Sequence, residues 1–198
     1  MEKIRINACT SNTHKYRELV AILGDDFEVI HHPIELVELQ GNPLDIVNAK
    51  AIEAYSKLKE PLFVEDVSLF FNAFNGLPGP YVKDFVTSLG AHGMYKLLKE
   101  FEDKSAIAIC NIAFIDGNNR KVFTGEVKGR IVEPRGNSSF GWNAIFEVEQ
   151  QKKTFGEMAD DERNKLSHRY LAAKKLRVCK LPLAIIDTQE FLLEYYKR

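Results

Sequence analysis

The sequence predicts an α/β protein built on a mixed β-sheet. Short apolar strands alternate with amphipathic helices early in the chain, and a long β-hairpin follows in its middle. Polar clusters stand directly after two of the strands, the position where such sheets bind ligands.

The elements follow in order. Ile4–Ala8 alternates and runs into the polar turn Cys9-Thr10-Ser11-Asn12. His14–Leu23 then carries Leu19, Val20, Ile22 and Leu23 at helical spacing and stops at Gly24. Phe27–His31 is a second strand. Pro43–Leu58 is a helix in which Leu44, Ile46, Val47, Ile52, Ala54 and Leu58 can share a buried side. Pro61–Val64 is a short apolar strand that ends at Glu65-Asp66. Gly76-Leu77-Pro78-Gly79-Pro80 is a loop, and His92–Phe101 a helix. Ala106–Ile115 and Val122–Val132 bracket Asp116-Gly117-Asn118-Asn119 as a hairpin. Gly136-Asn137-Ser138-Ser139 is a loop, Lys165–Leu176 a helix, and Thr188–Tyr196 a last helix.

Composition narrows the class. The chain has 198 residues, 45% apolar and 28% charged, the profile of one globular domain over residues 1–198. A net charge of −1 argues against a general nucleic-acid binder, which carries a basic excess, but leaves room for a small anion in a local basic pocket. We expect no membrane span and no signal peptide. Cys9, Cys110 and Cys179 fit neither a zinc spacing nor a disulfide framework, so reduced thiols in the cytoplasm are the simplest expectation.

Four clusters carry candidate chemistry. Thr10-Ser11-Asn12-Thr13-His14-Lys15 opens a helix, where free N–H groups, an amide and a lysine suit phosphate; an N-cap by Thr10 or Thr13 uses the same residues. Glu65-Asp66 can hold Mg²⁺ and orient a water, although side-chain alternation lets only one face a site unless the chain turns there. Glu35 and Glu38 add carboxylates before Gln40-Gly41. Phe140-Gly141-Trp142-Asn143 joins aromatic faces to an amide, a base-stacking set or plain core packing. Ser167-His168-Arg169 starts a helix, with Arg169 able to meet a carbonyl or phosphate and Ser167 able to cap. Lys50 and Lys83 are nondescript alone.

The order of these motifs is more telling than any one of them. Thr10-x-Asn12-x-x-Lys15, Glu38 before Gln40-Gly41, Val64-Glu65-Asp66, Gly76-Leu77-Pro78-Gly79-Pro80-Tyr81-Val82-Lys83, Phe140-Gly141-Trp142, Gly156-Glu157-Met158 and Ser167-His168-Arg169 together resemble the inosine/xanthosine triphosphate pyrophosphatase family, from about Ile4 to Leu176. Residues 177–198 form an extension beyond it.

The resemblance implies an elongated, two-lobed fold on a twisted mixed sheet, a homodimer, and Mg²⁺-dependent cleavage (Mn²⁺ substituting) of a purine nucleoside triphosphate to the monophosphate and pyrophosphate. The implied substrates are ITP, dITP and XTP, removed from the nucleotide pool. Thr10, Ser11, Asn12 and Lys15 match the triphosphate loop, with Lys50 and Lys83 adding charge. Glu38 and Asp66 match the metal carboxylates, and Asp66 also the residue that activates the water. Phe140, Gly141, Trp142 and Asn143 match the base-stacking segment. Arg163 matches a further substrate contact, and His168 and Arg169 match the groups at the six-position oxygen.

Four departures stand out. Ser11 replaces the usual Gly, Val67-Ser68 a small hydroxyl-then-Gly pair, Asn143 a typical Asp, and Arg163 a Lys. Asn143 loses a charge and gains donors, the one support for an alternative, a pyrophosphatase for standard or modified nucleotides; a third reading, a silent nucleotide-binding protein, is opposed by the retained Glu38, Asp66 and Lys15.

Overall fold

The structure is a computed structural model and describes residues 3–179 apart from Asp25, Asn118 and Ser139. The expected helix Thr188–Tyr196 lies outside the described residues.

A seven-stranded mixed sheet forms the centre. Its strands are β1 (Ile4–Cys9), β2 (Phe27–His32), β3 (Leu62–Phe71), β4 (Pro78–Gly79), β5 (Ser105–Asp116), β6 (Asn119–Ile131) and β7 (Phe146–Val148), in the order β2-β1-β3-β5-β6-β7 with β4 also on β3. β1 runs parallel to β2 and β3, and every other pair is antiparallel. The helices are α1 (Thr13–Leu23), α2 (Pro43–Leu58), α3 (Val82–Leu97), the single turn α4 (Asp160–Arg163) and α5 (His168–Val178). Among the described residues, no helix is long and apolar enough to cross a membrane.

Three apolar clusters hold these elements. Leu19, Leu23, Phe63, Ile112, Ala172 and Leu176 join α1 and α5 to one face of the sheet, and Val47, Ala51, Ala54, Val64 and Ala113 join α2 to the other. Phe71, Met94, Leu98, Phe146 and Phe155 build the third, from the far half of β3, α3 and the segment around β7.

Several elements differ from expectation. Charge at Glu65-Asp66 does not end β3, which continues to Phe71 because both carboxylates find cationic partners. Helix α3 begins at Val82 rather than His92. It is broken at Gly90, whose φ of 65° is helix-incompatible, so the apolar set Val82, Phe85, Val86 and Leu89 makes its own first half. Part of the Gly76–Pro80 loop folds back, so that Pro78-Gly79 pairs with Leu69-Phe70. β7 was not expected: its three residues are all buried and show no alternation. In α2 the buried side is Ile46, Val47, Lys50, Ala51 and Ala54, whereas Leu44 and Ile52 are exposed.

Helix α5 packs on β6 at Gly125 with almost no gap. A Cβ there would lie 2.0 Å from the His168 carbonyl oxygen and 2.4 Å from the Ala172 nitrogen. Gly125→Ala is expected to lower the melting temperature by roughly 3–10 °C, the effect of overpacking by about 1–3 kcal/mol in a chain of this size. Thermal denaturation followed by circular dichroism checks this; an unchanged midpoint would mean that α5 shifts freely.

Candidate active site

The site sits in an interruption of the sheet. β5 takes one edge of β3 along its whole length. On the other edge, β1 pairs only with Leu62 and Phe63, and β4 only with Leu69 and Phe70. Val64–Ser68 therefore has no strand partner on that side, and a cavity of about 620 Å³ opens there. This explains how both members of Glu65-Asp66 line one cavity without a turn in the chain. They point to opposite faces of β3, and the missing neighbour exposes both faces to the same opening.

Each carboxylate anchors its own charge cluster. On the α5 face, Arg169 holds Glu65 in a fork, Nε to Oε2 at 2.7 Å and Nη2 to Oε1 at 2.8 Å, and Lys15 Nζ approaches Oε1 at 3.3 Å. The third Arg169 nitrogen, Nη1, donates to Glu18 of α1, and Glu18 also takes Arg163 Nη2 at 3.2 Å. Burial of Glu65 would raise its carboxyl, but Arg169 and Lys15 outweigh it and hold the group at about 2. On the α2 face, Lys50 Nζ lies 3.0 Å from Asp66 Oδ1 and 3.4 Å from Glu38 Oε1, and Lys83 Nζ lies 3.2 Å from Glu38 Oε2. Burial raises the Asp66 carboxyl against the pull of Lys50. Its Oδ2 is buried without a partner.

The turn from β1 into α1 supplies polar groups to the cavity. Asn12 is the N-cap, its Oδ1 accepting from the Lys15 N–H at 3.1 Å, while Thr10 Oγ1 accepts from the Asn12 N–H at 3.1 Å. Thr10, Ser11, Asn12 and Lys15 all line the cavity. Aromatic rings and an amide line the same cavity, and Phe140 lies 5.1 Å from His14 of α1 between ring centres. Phe140, Gly141, Trp142 and Asn143 line it, and Trp142 is also a core residue, 5.4 Å from Phe146 and 5.3 Å from His168 between ring centres. Asn143 is buried, its Nδ2 3.4 Å from Ser138 Oγ. His168 packs between Trp142 and Phe155 with neither ring nitrogen partnered; burial and Arg169 push it down to about 3, so it is neutral.

The structure thus brings to one cavity Thr10, Ser11, Asn12, Lys15, Glu38, Lys50, Asp66, Lys83, Phe140, Gly141, Trp142, Asn143, His168 and Arg169. Arg163 stands outside its lining, bound to Glu18 and to Asp160 Oδ1 at 2.7 Å. Sequence reasoning gave Glu65 no partner and missed Glu18. The only signal for Glu18 was its place one helical turn after Lys15, on the same face.

Together, fold and site define a class: an α/β protein with a cleft that joins charged clusters, at the carboxyl end of its first strand and on β3, to aromatic rings. Comparison with known proteins narrows it. The Ham1 family model matches residues 6–179. An inosine triphosphate pyrophosphatase of Schizosaccharomyces pombe is 45% identical over 170 residues, 85% of this chain and 90% of that protein. One of Ajellomyces capsulatus is 45% identical over 174 residues, 87% of this chain and 94% of that protein. A HAM1 protein structure from Coxiella burnetii superposes with a TM-score of 0.80 at 24% identity, over 88% of this chain and 97% of that one. The chain belongs to the Ham1 family.

The buried histidine and carboxylate predict acid lability. His168 stays neutral in the folded protein down to about 3, whereas an unfolded chain protonates it near 6.5, so stability falls as pH drops below 6.5. Glu65 adds to the loss below 4.5, its unfolded value, until its folded value near 2 is reached. Of these two groups the histidine is the one that acts between pH 7 and 5, at a cost on the order of 2 kcal/mol. Urea midpoints at the two pH values are expected to diverge for wild type and to converge for His168→Phe.

Proposed function

We propose that this protein is a nucleoside triphosphate pyrophosphatase that cleaves deaminated purine nucleotides (ITP, dITP and XTP) to the monophosphate and pyrophosphate, and so cleanses the nucleotide pool. The observation that carries the reading is one cavity lined by both cationic and aromatic groups, in a chain 45% identical to relatives named inosine triphosphate pyrophosphatases. Lys15, Lys50, Lys83 and the start of α1 suit a triphosphate, and the flat rings and neutral polar groups of the same lining suit a base. Three free cysteines among the described residues fit a reducing, cytoplasmic compartment. The homodimer implied by family resemblance belongs to the same reading.

The donor set fits a divalent metal. Glu38 and Asp66 offer hard oxygen ligands, Asp66 Oδ2 is buried without a partner, and Lys50 already holds a positive charge between the two carboxylates. Mg²⁺ takes one or two such carboxylates and completes its shell with water and substrate phosphates, and Mn²⁺ accepts the same donors. Glu38 and Asp66 would hold it, and its contribution when bound is neutralisation of phosphate charge. The chain's own groups do the rest. Asp66 accepts a proton from the attacking water, a task its raised pKa favours; the water oxygen bonds to the α phosphorus as the α–β bridging bond breaks, and pyrophosphate leaves. Lys15 and Lys83 balance the charge on the phosphates. At the base, Arg169 has two N–H groups beyond those given to Glu65 and Glu18. A keto oxygen at the six-position accepts from them, whereas an amino group there meets donor against donor, at a cost of about 1–3 kcal/mol.

Pyrophosphate release from ITP, dITP, XTP, GTP and ATP, each with Mg²⁺ and with EDTA, tests the reading. Mg²⁺-dependent release from the first three with little from the others is the expected result. Equal release from all five would move the function to a broader pyrophosphatase, which the neutral Asn143 would then explain. Asp66→Asn is expected to reduce kcat by at least about a hundredfold, the scale of a lost general base, with an unchanged melting temperature. Near-wild-type turnover would sink the assignment of Asp66.

A further inference from the structure

His31 lies outside the cavity lining, on the edge strand β2, yet it touches the turn that proposed function assigns to phosphate. Its Nε2 is 2.9 Å from the Thr10 carbonyl oxygen. A carbonyl only accepts, so the ring nitrogen facing it carries the hydrogen. The ring is fixed from the other side as well. It stacks on Tyr16 of α1 with centres 4.1 Å apart and planes 10° from parallel, and the Tyr16 hydroxyl donates to the Val29 carbonyl at 3.1 Å. The Thr10 N–H donates to the neighbouring His32 carbonyl at 3.1 Å. Both backbone groups of Thr10 are therefore tied to β2.

The consequence falls on the next amide. In a trans peptide the carbonyl and the following N–H point in opposite directions in one plane. Holding the Thr10 carbonyl toward His31 therefore turns the Ser11 N–H away from β2. Ser11 lines the cavity, and among the described residues no acceptor takes its N–H. Without His31, the peptide between Thr10 and Ser11 is free to rotate and present its carbonyl where an anion would sit.

We infer that His31 is a positioning residue that orients the Ser11 backbone N–H toward the phosphates of the substrate, through its hydrogen bond to the Thr10 carbonyl and its stack on Tyr16. The inference rests on the triphosphate reading of the Thr10–Lys15 turn. The hydrogen bond it protects runs from an uncharged donor to a charged phosphate, and losing one such bond weakens binding by about tenfold. Because the contact forms in the bound substrate as well as in the transition state, the loss appears in KM rather than in kcat.

Three variants separate the donor from the ring. His31→Phe keeps the stack on Tyr16 and removes the donor, His31→Gln keeps a donor and removes the ring, and His31→Ala removes both. Two readouts serve: kcat and KM for ITP, and calorimetric Kd for inorganic tripolyphosphate. His31→Phe and His31→Ala are expected to raise KM and the tripolyphosphate Kd about tenfold with kcat within about twofold, and His31→Gln to recover most of the loss. A His31→Phe protein with wild-type KM and Kd overturns the inference, as does a His31→Gln protein no better than His31→Ala. A wild-type protein that binds no tripolyphosphate overturns the phosphate reading and this inference with it, a result distinct from a binding wild type with an indifferent His31→Phe.

Discussion

Glu65 places a full negative charge in the middle of the central strand, with 1% of its side chain exposed. A carboxylate so deep is costly to desolvate, and only well-placed partners offset that cost. Arg169 supplies two parallel hydrogen bonds and Lys15 a third contact, and Arg169 is in turn completed by Glu18. These four residues come from α1, β3 and α5, far apart in sequence. The requirement to satisfy one buried charge therefore sets where α5 begins relative to the sheet, and Gly125 is the bare surface that lets α5 come close enough. Loss of either end of the fork would strand a buried charge, an effect of about 3–5 kcal/mol that would loosen three elements together.

The same arrangement gives the cleft two kinds of lining, charged pairs and aromatic rings. Positive charge is gathered on Lys15, Lys50 and Lys83, each beside a carboxylate, so the free protein holds its cations in place without a large net field. His168 and Asn143, beside the rings, are themselves uncharged. His168 cannot take a proton beside Arg169 and away from water, and Asn143 presents an amide rather than a carboxylate.

Much of this was legible in the sequence. The alternating strands and helices, the hairpin and the ordered motifs located the sheet and most residues of the cleft. What escaped had long-range causes. Glu65-Asp66 read as a strand end because adjacent charges ordinarily seek water, and their partners Lys50 and Arg169 cannot be paired with them by periodicity. Alternation correctly sent the two side chains to opposite faces, but only the tertiary gap beside β3 explains why both reach the same cavity. The first half of α3 was hidden by Gly90, which breaks the periodic window, and Leu44 and Ile52 counted toward a buried side that α2 turns outward. Arg163 followed a motif position into the expected site, yet its guanidinium is held by Glu18 and Asp160.

The unpaired stretch of β3 has a meaning beyond ligand binding. Exposed strand edges invite other chains to add on, and proteins blunt them with short length, charge or cover. Here the open window runs only from Val64 to Ser68, is bounded by β1 at one end and β4 at the other, and carries two carboxylates. A foreign strand would have to enter a recess too short for a stable ladder and desolvate both charges as it did so. The opening beside β3 is thereby closed to polypeptide, and the sheet carries a recess without offering a template for aggregation.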